Sequence, residues 1–365
     1  MRIRSIKEAA AKPTHPASIG VQRYQFPCKP TVAAKFSALV GAWATVIIVS
    51  VLALSAAPAC AQVTWRMTSE YPQNNISGIG LLTFSRLVAA RTDGFVTTAT
   101  AFDNELKITS SEMPRAAQDG RIAGGDAFAG ALTDFDAVFG LPTLPFVVQS
   151  IEVARAVNTR ARPLYEKALQ AQGLKLLYLT IWPATGLWTD RPLDGAADLR
   201  QLSVRTYDNS SADVMRAAEA SARFLPITEA IAALRDHSLN AFLTSGDGGA
   251  GRKLWDYLPY FTPINYAMPV SLAFVRTEAF AALPDETQKQ VLAAAAETEQ
   301  SQFDLLANRT AENYARMRAN GVTIAEPAPA PVTAALRRAA THPIAAWRAK
   351  AAPDAIEIVD WAIRQ

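Results

Sequence analysis

Cysteine is nearly absent from this chain. The 365 residues contain two, Cys28 and Cys60, both within the first 61 positions. The remainder can form neither a disulfide nor a thiolate metal site, which is ordinary for a bacterial periplasm. Histidine is almost as scarce. Beyond residue 61 only His237 and His342 remain, far apart and without metal-ligand spacing, so no metal is expected. A serine hydrolase would need one of them as its base. The chain also lacks G-x-S-x-G, H-E-x-x-H and Walker patterns. These absences argue against an enzyme, a secreted hydrolase being the form it would take, and no cofactor is expected. No long basic run occurs after the first 61 residues, which argues against a nucleic-acid partner.

What is present points to export. Residues 1–61 hold seven basic residues and one acid. Taken from the totals of 36 and 33, that leaves 29 basic and 32 acidic residues in the rest. Lys35 precedes Phe36–Ser55, which carries no charge and centres on Thr45-Val-Ile-Ile-Val-Ser-Val-Leu-Ala-Leu54. Ala59-Cys60-Ala61 then supplies an A-x-A site, so a basic n-region, an apolar h-region and a cleavage site occur in order. Cleavage is expected after Ala61, giving a soluble periplasmic protein. Phe36–Ala57 is also just long enough to span a bilayer, so an uncleaved anchor is the alternative. A lipoprotein acylated at Cys60 fits less well.

Half of the residues are apolar, enough for a large core and, at this length, about two domains. Val63–Met67 alternates like a strand. Gly80–Ala90 has a helical stripe, stopped at Thr92-Asp-Gly94. Strands are expected at Val96–Phe102, within Ile122–Ala131, and at Leu174–Trp182, Ser203–Thr206, Leu239–Leu243 and Ala267–Val275. Helices are expected at Glu112–Gln118, Ile151–Gln172, Ala212–Ala222, Glu229–Leu234, Pro284–Asn320 and Ala355–Ile363, with Ala325–Pro331 extended. Alternation of the two predicts an α/β fold with parallel strands. Two such blocks joined by more than one crossing segment describe a two-lobed clam.

Several segments, in order, resemble a known family. They are Thr92-Asp-Gly94, Glu112–Gly120 followed by Gly125-Asp126-Ala127, Leu144-Pro-Phe146, Arg191-Pro-Leu193 with Asp198–Arg205, Thr228–Leu234 with Leu239-Asn240-Ala241, Leu254–Tyr257 and Leu283–Lys289. Together they resemble the periplasmic solute-binding subunits of tripartite ATP-independent periplasmic (TRAP) transporters, the DctP type, over nearly all of 63–365. The resemblance implies a periplasmic-binding-protein-like clam with an interlobe cleft, hinge strands and a long spanning helix. It implies a small organic acid as ligand and TRAP membrane permease subunits as partners. It divides the chain into a leader (1–61), a first lobe (62–182 with 270–309) and a second (183–269 with 310–365). A monomer is favoured. A periplasmic sensor subunit docking on a receptor kinase would share this fold and is the alternative.

Arg205 matches the family arginine that ends a strand and grips the ligand carboxylate. Its guanidinium offers two parallel donors and stays charged; an ordinary ion-paired arginine is the competing reading. Tyr207 and Asp208 follow it and either line the same wall or form a plain turn. Trp182 and Trp188 flank the crossing at Pro183 and either face the ligand or fill the core. Glu70, Tyr71 and Asp126 follow strands where the family places lining residues, although a capped acid is a commoner fate. Two departures stand out. Thr185 occupies the place of a second family arginine, and Thr244 that of an asparagine. Thr244 also opens the glycine-rich run Thr244–Gly251.

Overall fold

The computed structural model describes residues 62–365. The leader and its cleavage site lie outside the described residues. Among the described residues no helix is long and apolar enough to cross a membrane.

The chain begins β1 (Val63–Ser69), α1 (Ile76–Arg91), β2 (Val96–Ala101), α2 (Met113–Gln118) and β3 (Gly124–Phe128). Helix α1 ends where expected: Thr92 is its C-cap, and Asp93 and Gly94 turn the chain at φ 49° and 77°. Two 3-10 turns lead to α3 (Ile151–Gln170), whose N-cap Ser150 accepts from the Val153 amide at 3.2 Å. Then come β4 (Leu174–Ile181), β5 (Thr185–Thr189), β6 (Ser203–Thr206), α4 (Asn209–Ala217), β7 (Ser221–Phe224), α5 (Ile227–Arg235) and β8 (Ala241–Ser245). The glycine run forms α6 (Gly246–Gly251), followed by β9 (Tyr260–Thr262), β10 (Val270–Arg276) and α7 (Thr277–Ala281). The 35-residue α8 (Asp285–Ala319) is about 50 Å long at 1.5 Å per residue. β11 (Thr323–Ile324), α9 (Ala330–Ala339), α10 (Thr341–Arg348) and α11 (Pro353–Ile363) close the chain.

Two sheets result, one per lobe. The first has order β2-β1-β3-β10-β4 and the second β11-β9-β5-β8-β6-β7. Both are mixed rather than all parallel. In the first, β1 runs parallel to β2 and β3, while β10 is antiparallel to β3 and β4. In the second, β6 is parallel to β7 and β8, while β5 is antiparallel to β8 and β9. The odd strands are those the chain enters directly from the other lobe. A segment arriving across the gap, with no returning helix, runs against its neighbours.

Those crossings form the hinge. Residues 182–184 link β4 to β5, and 263–269 link β9 to β10. They are hydrogen-bonded to each other as a ribbon: Trp182 N to Pro269 O at 2.8 Å, Thr185 N to Ala267 O at 2.9 Å, and Tyr266 N to Thr185 O at 3.0 Å. Helix α8 is the third connection, packing on α1 and β4 in the first lobe and on α6 in the second.

The C-terminal segment departs from the expected layout. Val332, Leu336 and Ala340 join the second lobe's core, but Ala355, Ile358, Val359 and Ala362 of α11 join the first lobe's core against α3. The amphipathic stripe of α11 thus finds its apolar partner in the first lobe.

Candidate functional site

One cavity of about 30 Å³ lies at the lobe junction beside the hinge. The first lobe and hinge contribute Tyr71, Phe128, Trp182 and Pro269; the second contributes Thr185, Arg205, Tyr207, Ile227, Thr244, Ser245, Gly248 and Arg252. Six residues singled out in the sequence therefore meet here: Tyr71, Trp182, Thr185, Arg205, Tyr207 and Thr244.

Arg205 sits in β6, which is flanked by parallel strands on both sides, so the strand's end opens onto the crevice. It is 5% exposed. Nε donates to Leu225 O at 2.9 Å, and the Phe242 ring lies 5.4 Å from its guanidinium carbon. Among the described residues no carboxylate forms an ion pair with it, and neither terminal nitrogen has a protein acceptor. Burial lowers its pKa to about 10, which still leaves it protonated at neutral pH. A buried cation without a counter-charge is costly, and an anion in the cavity removes that cost.

The aromatic walls are neutral. Burial, reinforced by the Glu70 carboxylate, pushes the Tyr71 phenol up, and burial with Asp208 does the same for Tyr207. The Tyr71 and Trp182 rings lie 4.7 Å apart, and Phe128 and Tyr207 5.3 Å apart. The Tyr207 hydroxyl is buried beside the Thr185 side chain and makes no hydrogen bond of good geometry, so its donor can turn to a ligand.

The four other candidates lie behind the cavity. Trp188 is fully buried in the second lobe's core, 5.3 Å from the Phe261 ring, with Nε1 donating to Ser245 O at 3.3 Å. Asp208 is the N-cap of α4 and accepts from the Ser211 amide at 2.7 Å. Glu70 accepts from the Ser110 amide at 2.9 Å.

Asp126 is buried in the first sheet and accepts from Ser77 Oγ at 2.5 Å. Burial pushes its carboxyl up to about 7, against the Ser77 hydrogen bond that favours the charged form. Trp182 Nε1 donates to Ser271 Oγ at 3.0 Å, and Asp126 Oδ1 is buried without a hydrogen-bond partner. Its raised pKa means that the folded state binds the proton more tightly than the unfolded chain. Its contribution to stability is full below the unfolded value of about 4 and is lost as pH rises through about 7. Urea unfolding from pH 5 to 8 is expected to show this loss in the wild type and less of it in Asp126→Asn. An unchanged slope in the variant would remove Asp126 as the source.

Arg252 was not among the sequence candidates. It is the C-cap of α6, and the glycines of that helix explain its position. A Cβ on Gly249 would lie 2.3 Å from Trp188, one on Gly251 2.4 Å from Asn75 and one on Gly248 2.4 Å from Thr244 Oγ1. Without side chains, α6 wedges between its own sheet and the first lobe and carries Arg252 to the cavity. The signal in the sequence was the glycine run itself. His237 and His342 are both exposed and outside the wall, and among the described residues no group of acids and histidines could hold a metal.

The architecture has counterparts in known proteins. An extracytoplasmic solute receptor of Bordetella pertussis binding pyroglutamic acid is 27% identical, with a TM-score of 0.78 over 83% of this chain and 100% of its own. A marine-metagenome TRAP solute-binding protein specific for pyroglutamate is 24% identical, with a TM-score of 0.78 over 83% and 99%. A TRAP periplasmic solute-binding protein of Desulfovibrio salexigens, with bound orotic acid, is 20% identical, with a TM-score of 0.75 over 82% and 97%. The last two share the fold. No curated protein matches the chain. Residues 67–349 match the bacterial extracellular solute-binding proteins, family 7 (DctP). That span takes in both sheets, the hinge and every wall residue of the cavity, and the protein belongs to this family of extracytoplasmic solute receptors.

Proposed function

We propose that this receptor is exported to the periplasm with its leader cleaved after Ala61, captures a small organic carboxylate between its lobes and delivers it to TRAP membrane permease subunits. The observation that carries the reading is Arg205: buried, protonated and without a carboxylate partner among the described residues. A ligand carboxylate accepts both terminal nitrogens in a bidentate pair. Tyr207 and the hydroxyls of Thr185, Thr244 and Ser245 supply further hydrogen bonds, and Tyr71 and Trp182 exclude water. Thr185 and Thr244 leave Arg205 as the main anion grip from the second lobe's sheet. Contacts from both lobes exist only when the clam is shut, so the ligand shifts the population toward closure, and the permease reads that state. The likeness to a pyroglutamate receptor at 27% identity makes pyroglutamate the first acid to try.

Thermal unfolding against a panel of organic acids tests this. A ligand at a hundredfold excess over Kd adds about 2.7 kcal/mol to the folded state. One class of carboxylates is expected to raise the midpoint. A shift with neutral solutes and none with acids would overturn the reading.

A further inference from the structure

We propose that the cavity selects an acid carrying one negative charge and a neutral acceptor at its other end, and that Arg252 paired with Asp103 sets this preference. The inference rests on the carboxylate-receptor reading above.

The two arginines of the wall differ in what already neutralises them. Arg205 has no carboxylate in contact. Arg252 belongs to the second lobe, yet its guanidinium is held by the first: Nη1 lies 2.6 Å from Asp103 Oδ1, and Nη2 donates to Glu70 O at 2.9 Å. Its Nε is buried without a hydrogen-bond partner. Asp103 is fixed where this requires it. It turns the chain after β2 at φ 54°, and its amide donates to Tyr71 O at 3.0 Å. The same loop thus carries Glu70, Tyr71 and the tether of Asp103.

The charges of the wall follow from this arrangement. A ligand carboxylate at Arg205 meets an unmatched cation. A second carboxylate near Arg252 would meet a cation already paired with Asp103. It would also feel the Glu70 carboxylate, whose field acts on both Tyr71 and Arg205. Two like charges within a few ångströms disfavour each other in a buried site. A neutral amide or hydroxyl oxygen can take the spare donors of Arg252 and Tyr207 without that repulsion. The discrimination is therefore partly repulsive: the buried Glu70 carboxylate acts against a dianion, while Asp103, 59% exposed, acts by neutralising Arg252.

Matched pairs that differ in one group separate these terms. Calorimetric titration of the purified protein would compare malonate with malonamate, succinate with succinamate and glutarate with glutaramate, and include pyroglutamate. On whichever skeleton binds, the monoanion is expected to bind about tenfold or more tightly than its dicarboxylate, the equivalent of 1.4 kcal/mol. Asp103→Asn frees the charge of Arg252, so the ratio is expected to shrink or reverse in favour of the dicarboxylate. A merely structural Asp103 would weaken both members of a pair alike and leave the ratio unchanged, and that result would overturn the role of the Arg252–Asp103 pair. Tighter binding of the dicarboxylate by the wild type would overturn the selectivity while leaving the receptor reading intact. If no acid of the set binds, the carboxylate reading fails and this inference falls with it.

Discussion

Arg205→Ala is expected to lose acid binding while keeping the fold. Truncating one side of a buried, hydrogen-bonded charge pair costs about 2–5 kcal/mol, roughly thirtyfold to several thousandfold in Kd. Arg205 is the candidate for that cost because no carboxylate among the described residues is in contact with it: its one side-chain hydrogen bond is from Nε to Leu225 O. For the same reason the ligand-free variant should melt near the wild-type temperature or above it. Removing a buried cation that has no carboxylate in contact relieves a desolvation penalty, which offsets the loss of one neutral-acceptor bond worth about 1 kcal/mol. Arg205→Lys should recover little, since an ammonium cannot make the parallel two-donor contact. Calorimetric titration and a ligand-free melt on the same samples decide the matter. A large drop in the ligand-free melting temperature with affinity retained would make Arg205 a structural residue and move the grip elsewhere.

Arg205 was legible because the signal at its position is local. Ser203–Thr206 is a short strand in both the sequence pattern and the structure, and strand ends in such sheets face the crevice. Trp188 and Thr185 are both candidates in the sequence, on different grounds, and the pattern behind Pro183 does not show the strand that holds both, β5. Once β5 is a strand, residues three apart point to opposite faces; Thr185 faces the cavity and Trp188 the core. The helix expected over Ala212–Ala222 ends at Ala217, and Ser221–Phe224 is β7. The stop is Glu219 at φ 69°, a left-handed residue that neither glycine nor proline announces. α9 and α10 were missed as well, in a segment whose prolines at 327, 329 and 331 read as extended. Pro331 instead falls in the first turn of α9, where its missing amide costs nothing. α6 is the reverse case. Each interior glycine costs a helix about 1 kcal/mol relative to alanine, so propensity argues against it, and only the close approach of Trp188, Asn75 and Thr244 favours glycine there. Arg252 was hidden with it, since its place depends on a helix that local preference disfavours.

Asp247→Ala is expected to destabilise the protein by about 3–5 kcal/mol, the range for breaking a buried ion pair from one side. Asp247 is the one acidic residue of α6, and its side chain is fully buried. From the second lobe it accepts from the Ile76 amide at 2.8 Å and Asn75 Nδ2 at 3.1 Å, both at the start of α1 in the first. It also accepts from Arg309 Nε at 2.5 Å and Asn313 Nδ2 at 3.0 Å on α8. Asn75 is the N-cap of α1 but makes no side-chain cap bond, so the carboxylate from the other lobe does the capping and places a negative charge at the helix N-terminus. Removing it leaves the Ile76 amide unpaired and Arg309, 12% exposed, without its buried partner. Because these bonds join the lobes, the closed arrangement should lose more than the open one, and acid affinity should fall with the closed population. Urea unfolding of Asp247→Ala, Arg309→Ala and the double variant tests the pairing. The double variant should be clearly less destabilised than the two single effects added together, by about 0.5–3 kcal/mol for residues in contact. Strict additivity would show that Asp247 and Arg309 act separately, and unchanged ligand affinity in Asp247→Ala would show that the contacts across the lobes do not govern closure.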